Sequence, residues 1–212
     1  MNDLFNPTSE HRALRELVRS FTEREVDPQA ESFDHAERFN IELFRQLGDL
    51  GLLGVTVEER FGGSGLDPVA AVIAHEEISS ADPGFALAYL AHSMLFANNL
   101  QVNGSDEQRS KYLPDACTGK KVCGMCMTEP GAGTDVLGMQ TAATKKSDRY
   151  LLNGAKMWIT NGAISDTELG DTFLVYARLD GQPRNQLSMF IVEKGFAGFS
   201  LGQKIKGKLG MR

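Results

Sequence analysis

The chain has 212 residues, 42% hydrophobic and 24% charged, with a formal net charge of -6. That length buries a real core as one large domain or two modest ones. The acidic balance and the lack of any Lys/Arg run exclude a nucleic-acid footprint, and the longest apolar stretch, Phe85 to Leu100, is interrupted by polar residues and too short for membrane insertion.

In chain order, the first half is punctuated as helices. Met1-Asn2-Asp3-Leu4-Phe5 has no basic n-region and no apolar h-region, so no secretory or transit signal is read in it. Thr8 or Ser9 is placed to cap a helix whose Leu14, Leu17, Val18 and Phe21 share one face. Asn40 precedes a second apolar face of Leu43, Leu47 and Leu50, with Gly51 at C′. Asp67-Pro68 and Asp82-Pro83 each supply a cap followed by proline at N1, which predicts helices over 68–80 and 83–102. The second of these is apolar nearly all round, so it either packs in a core or lines something apolar. Ser105 and Gln108 form a capping box for a last short helix expected to end before Pro114.

From Val122 the period shortens. Ser147-Asp148, Asn153-Gly154, Asn161-Gly162 and Gly181-Gln182-Pro183 separate short runs at 149–152, 155–160, 172–178 and 186–192. Helices first and strands second predicts an α+β fold: an N-terminal α-helical bundle over 1–119, then a small antiparallel β-sheet or barrel domain over 120–212. Cys123 and Cys126 lie three apart on a predicted buried strand, Val122 to Met127, and so point to opposite faces. That arrangement suits neither a metal nor a disulfide, and reduced thiols favour an intracellular compartment. His11, His35, His75 and His92 lack metal-site spacing, so no metal is expected.

Two segments carry the chemistry. In Met127-Thr128-Glu129-Pro130-Gly131-Ala132-Gly133-Thr134-Asp135, proline and two glycines let the backbone turn tightly and approach a ligand, while Thr128 and Thr134 add donors. In Asn153 to Gly162, a strand over 155–160 would put Lys156, Trp158 and Thr160 on one face, so that an indole and a hydroxyl meet the same ring. A lone tryptophan in a strand is more often core, and a Pro-Gly-x-Gly turn is by itself an ordinary loop. Together they match what a planar, polar-edged ring such as a flavin requires. The loop is no dinucleotide fingerprint, because the third glycine is missing. Glu129 forms no evident acid/base pair with another carboxylate.

Gly48 to Gly54, Phe61-Gly62-Gly63-Ser64-Gly65, Glu76-Glu77-Ile78-Ser79, Ala91-His92-Ser93, Gly104 to Gln108 and Lys111-Tyr112-Leu113-Pro114 stand in the order of a known family. Over its whole length the chain resembles the acyl-CoA dehydrogenases, most closely their isovaleryl-CoA branch. The resemblance implies FAD and α,β-dehydrogenation of a short branched acyl-CoA, isovaleryl-CoA to 3-methylcrotonyl-CoA in leucine catabolism. It implies electron-transferring flavoprotein as redox partner and a homotetramer for the full-length protein. Met125, Met127 and Thr128 fall where the family strand lies along the flavin. Trp158 falls against the ring system, Thr160 near N5 and O4, and Thr134, where serine is commoner, on the acyl-CoA. The family's catalytic base is a glutamate on a third, C-terminal helical domain. The chain ends at Lys208-Leu209-Gly210-Met211-Arg212, inside a stretch the family continues, so it reads as an N-terminal fragment without the base, with an incomplete β domain and no activity of its own. The compartment implied is the mitochondrial matrix in a eukaryote or the cytoplasm in a bacterium. An acyl-CoA oxidase of the same fold and a non-catalytic acyl-CoA-binding module are the alternatives.

Overall fold

The computed structural model describes residues 5–208 except Gln182, Arg184 and Asn185. Met1–Leu4, the centre of the turn read at 181–183, and the terminal residues 209–212 therefore lie outside the described residues.

The helices begin where their caps place them. The Thr8 side chain accepts the His11 amide at the start of α1 (Ser9–Phe21), which runs through a π turn (Thr22–Val26) into α2 (Asp27–His35). Asn40 caps α3 (Ile41–Asp49), and Gly51 follows it at φ +72°. Asp67 and Asp82 cap α4 (Pro68–Ser79) and α5 (Pro83–His92). The long apolar helix read over 83–102 is one continuous path in three pieces: α5, a π turn (Ser93–Asn98) and α6 (Asn99–Asn103). Phe85, Tyr89, Phe96 and Leu100 on it are buried.

The Ser105–Gln108 capping box opens α7 (Asp106–Cys117), which does not stop before Pro114 but carries that proline inside it. Leu113, Ala116 and Cys117 are all buried in one cluster, and their packing outweighs the missing amide donor.

The strands are β1 (Cys123–Cys126), β2 (Ala142–Lys146), β3 (Arg149–Asn153), β4 (Thr172–Leu179) and β5 (Leu187–Glu193). The fold is α+β as read, but the sheet is mixed rather than antiparallel, and it is not closed into a barrel. β4 pairs antiparallel with β5 along its length; on its other edge it pairs parallel with β1 at Cys123↔Thr172 and with β2 at Ala142↔Arg178. Parallel pairing needs a long connection, which the stretch from β1 to β4 supplies. β2 was not read from the sequence, and 155–160 is irregular rather than a strand.

Core packing joins helices and sheet. One cluster surrounds Phe44, Leu47, Ile78 and Tyr89 in the helical half. A second combines Phe96, Leu100 and Leu113 with Cys123 and Leu174 of the sheet. Cys126 packs in a third cluster with Phe173 and Val175, so the two β1 thiols do face opposite ways. Both cysteines are free, and burial pushes the Cys126 thiol up to about 12.

His92 makes the joint. Its Nε2–H donates to the Ala116 carbonyl (2.9 Å) and its Nδ1 accepts the Cys123 amide (3.0 Å), a pair of partners that fixes the neutral tautomer. Burial holds its pKa down, to about 4, although the hydrogen bond to the Ala116 carbonyl favours the protonated form. Asn161 adds a second tie, its Nδ2 donating to the carbonyls of Ala88 and Cys123.

Candidate functional site

The two segments singled out in the sequence meet at the C-terminal end of β1. Met157 donates its amide to the Thr128 carbonyl (2.9 Å), and Lys156 Nζ donates to the Met127 carbonyl (3.0 Å). Further back along β1, the Thr160 carbonyl presses on Gly124, where a Cβ would come within 2.8 Å of it. The segment therefore lies along Gly124 to Thr128 without being a strand.

Trp158 explains the irregularity. Its φ is +61°, a left-handed conformation that costs a bulky residue roughly 1–2 kcal/mol and ends any strand alternation. The shared face proposed for Lys156 and Trp158 is thus not formed. Lys156 turns inward and is almost fully buried, whereas Trp158 is 59% exposed. Trp158 belongs to none of the hydrophobic clusters among the described residues, and backbone strain of this kind concentrates at ligand sites.

The loop after β1 is closed at its neck. Glu129 and Ala132 exchange backbone hydrogen bonds of 2.9 and 3.2 Å around Pro130-Gly131. The Glu129 carboxylate reaches across to the loop's far end, accepting the amides of Gln140 (2.6 Å) and Thr141 (2.8 Å) and the Thr141 hydroxyl. Lys156 Nζ is its cationic partner at 2.9 Å. Burial pushes this carboxyl up, but those donors together outweigh it and bring the pKa down to about 2. Glu129 is therefore a fixed anion with both oxygens occupied, not a general base. Sequence reading missed this pair; a glutamate before Pro-Gly and a lysine two residues ahead of a tryptophan were its only signal.

At the loop's tip, Gly131 and Gly133 have ordinary φ, and a Cβ on either would meet nothing within 4 Å. Neither the backbone conformation nor packing within the chain demands glycine there. The hydroxyls of Thr56, Thr118, Thr141 and Thr144 bond within the protein. Those of Thr128, Thr134 and Thr160 find no partner among the described residues. Met125 lies on β1 opposite Leu174, half-buried, with Asn99 Nδ2 3.9 Å from its sulfur. Met125, Met127, Thr128, Trp158 and Thr160 are thus gathered along one strand end. Thr134 stands apart at the exposed loop tip, where its carbonyl accepts the Val136 amide.

Open glycines, free hydroxyls and an outward indole fit a flat, polar-edged group. They are a poor match for a metal, and no cluster of His, Cys, Asp or Glu among the described residues could hold one. No helix among those residues is long and apolar enough to cross a membrane.

Comparison with known proteins agrees with the architecture. Residues 8–120 match the acyl-CoA dehydrogenase N-terminal domain and residues 124–212 the acyl-CoA dehydrogenase middle domain. The chain belongs to the acyl-CoA dehydrogenase family, a family of flavin oxidoreductases. It is 42% identical to mitochondrial isovaleryl-CoA dehydrogenase of Pongo abelii, over 100% of this chain and 50% of that protein. It is 39% identical to the short-chain-specific acyl-CoA dehydrogenase of Clostridium acetobutylicum, over 98% and 54%. A crystal structure of an acyl-CoA dehydrogenase from Bacillus anthracis complexed with FAD superposes with a TM-score of 0.84 at 39% identity, covering 94% of this chain and 33% of that one. The chain spans about half the length of the curated relatives it matches.

Proposed function

We propose that these residues form the flavin-facing half of an FAD-dependent acyl-CoA dehydrogenase acting on a short branched acyl-CoA, isovaleryl-CoA in the first instance. The observation that carries the reading is Trp158, exposed on a left-handed backbone and tied through the neighbouring Met157 amide to Thr128 at the end of β1. FAD, when bound, accepts the β-hydride of the thioester as a base removes the α-proton. The chain's own part is placement. Met125, Met127 and Thr128 line one edge of the flavin, Trp158 walls it, and the Thr128 and Thr160 hydroxyls donate to its polar rim. Preset dipoles of this kind favour the negative charge that reduction brings. Thr134, on its open loop, contacts the acyl-CoA.

The reading divides the chain into a helical domain over 1–119 and a middle domain over 120–212. The proton-abstracting glutamate is then proposed to lie in a part of the longer protein that this chain, about half the length of its curated relatives, does not span. Without a positioned base, turnover is expected to fall by about 10²–10⁴-fold. Electron-transferring flavoprotein is the proposed redox partner, a homotetramer the proposed assembly of the complete protein, and the mitochondrial matrix or bacterial cytoplasm its compartment.

The test is loss of flavin absorbance in the complete FAD-loaded protein, titrated anaerobically with straight and branched acyl-CoAs. Bleaching by isovaleryl-CoA at the lowest concentration supports the assignment. Preference for butyryl-CoA keeps the enzyme class and rejects the branched substrate. A protein that neither retains FAD nor bleaches with any thioester sinks the reading, leaving a non-catalytic acyl-CoA-binding module in its place.

A further inference from the structure

The Glu129–Lys156 pair stands out because nothing in the sheet requires it. β1 and β2 are each held to β4 by backbone pairing, and β3 to β2 in the same way. Yet both side chains are nearly excluded from water, Glu129 at 6% and Lys156 at 9% exposure, beneath a surface loop. Burying two charges costs several kcal/mol per ion, recovered only when geometry and hydrogen bonding are complete. Here they are. The carboxylate takes two amides, a hydroxyl and the ammonium group; the ammonium group also binds the Met127 carbonyl and approaches the Met139 sulfur at 3.7 Å.

Every group so joined belongs to one of two segments. Gln140 and Thr141 are the far end of the glycine loop, Glu129 its near end, and Lys156 lies two residues before Trp158. We propose that Glu129 and Lys156 are positioning residues: a buried lock that closes the neck of the 130–139 loop and fixes it to the Trp158 segment, so that the acyl-CoA side and the flavin side of the site are presented in one set relation. The proposal rests on the functional reading above for what the two sides bind, but the lock itself is a property of the chain. An apolar pair of equal volume could stabilise the fold as well; it could not hold the Gln140 and Thr141 amides.

The experiment uses the complete FAD-loaded protein with Glu129→Gln, Lys156→Met, the double variant and Thr141→Val. Glu129→Gln is expected to speed amide hydrogen exchange across 130–139 about tenfold or more and to raise KM for acyl-CoA about tenfold, the equivalent of one charge-assisted hydrogen bond. Its kcat should fall by less than about threefold, since Glu129 touches no reacting atom. Lys156→Met should loosen the same loop and also shift the flavin absorbance bands, because the lysine holds the Met127 carbonyl. If the two act as one lock, the double variant is no worse than the poorer single.

Effects that add, or exchange over 130–139 that stays at the wild-type rate in a folded Glu129→Gln protein, overturn the proposal. Should Glu129→Gln fail to fold, Thr141→Val decides. It removes one donor and keeps both amides, so a smaller rise in exchange that Thr141→Ser restores supports the lock, and no rise refutes it. A wild-type protein that binds FAD but is reduced by no acyl-CoA defeats the functional reading alone, since the exchange measurement still judges the lock.

Discussion

The glycines of Phe61-Gly62-Gly63-Ser64-Gly65 and those of Pro130-Gly131-Ala132-Gly133 look alike in sequence, yet the fold uses them for opposite purposes. In the first turn Gly62 and Gly65 have φ of +88° and +65°, and a Cβ on Gly63 would collide with the Val57 backbone. The amides of Gly63, Ser64 and Gly65 bond to the carbonyls of Glu58, Gly54 and Val57, and the Ser64 hydroxyl bonds to Gly51. That turn is glycine-rich because the protein presses on itself. In the second loop the glycines have ordinary φ and empty surroundings, so nothing among the described residues calls for glycine there. Glycine content alone therefore says nothing about function; the neighbours of the absent Cβ do.

The comparison is tested most severely at Gly63. Gly63→Ala drives a methyl group into a backbone carbonyl that cannot swing away, and overpacking of that kind costs about 3 kcal/mol. Urea unfolding of the two proteins should show a lower midpoint at unchanged slope. A variant as stable as the parent would mean that the first turn is not packed as described.

Acid probes the same self-packed region at its joint. The folded protein holds His92 near 4, below the ordinary value of 6.5, so between those values the unfolded chain binds the extra proton. Stability from this group is complete above about pH 6.5 and is lost as pH falls toward 4. At pH 5 the loss relative to pH 8 is about 2 kcal/mol. Glu129, depressed to about 2 from 4.5, adds a second loss only below about pH 4.5. His92→Gln should flatten the first limb of a stability-versus-pH curve and leave the second. If the first limb persists in that variant, another group causes it.

At Trp158 the expectation reverses, since the proposal gives the removed indole to a ligand and not to the core. Trp158→Asn places at φ +61° a residue that tolerates the left-handed region, so stability should hold or rise by up to about 1 kcal/mol. FAD retention on gel filtration should fall. A large loss of stability would put the indole in the core after all and remove the main support for the flavin reading.

What the sequence displayed, and what it hid, divides along the same line. Caps at Thr8, Asn40, Asp67, Asp82 and Ser105 are local hydrogen bonds between near neighbours, so they were legible, as were the runs that became β1, β3, β4 and β5. The parallel pairing of β1 with β4 depends on residues about 50 positions apart and leaves no local mark. Pro114 reads as a stop, yet buried packing of Leu113 and Cys117 carries α7 past it. Met157-Trp158-Ile159-Thr160 has the composition of a strand but, with Trp158 left-handed, not its backbone. The proposed site residues were read from motif and resemblance. The Glu129–Lys156 pair was not, because two charges far apart in sequence show their burial only in three dimensions.

The smallest effect on stability is the sharpest test of the comparison. Gly131→Ala and Gly133→Ala add a methyl group where the backbone already suits alanine and nothing in the chain lies within 4 Å. Restricting the unfolded chain should then raise stability by about 0.5 kcal/mol in each variant. The same methyl group would intrude on whatever approaches the loop, so affinity for FAD or acyl-CoA, read by flavin fluorescence and by thioester titration, should drop about tenfold in at least one of the two. A fall in stability would show that this loop is packed like the Gly62–Gly65 turn, erasing the contrast. Unchanged ligand affinity in both would leave the open glycines without a purpose and the cradle without its floor.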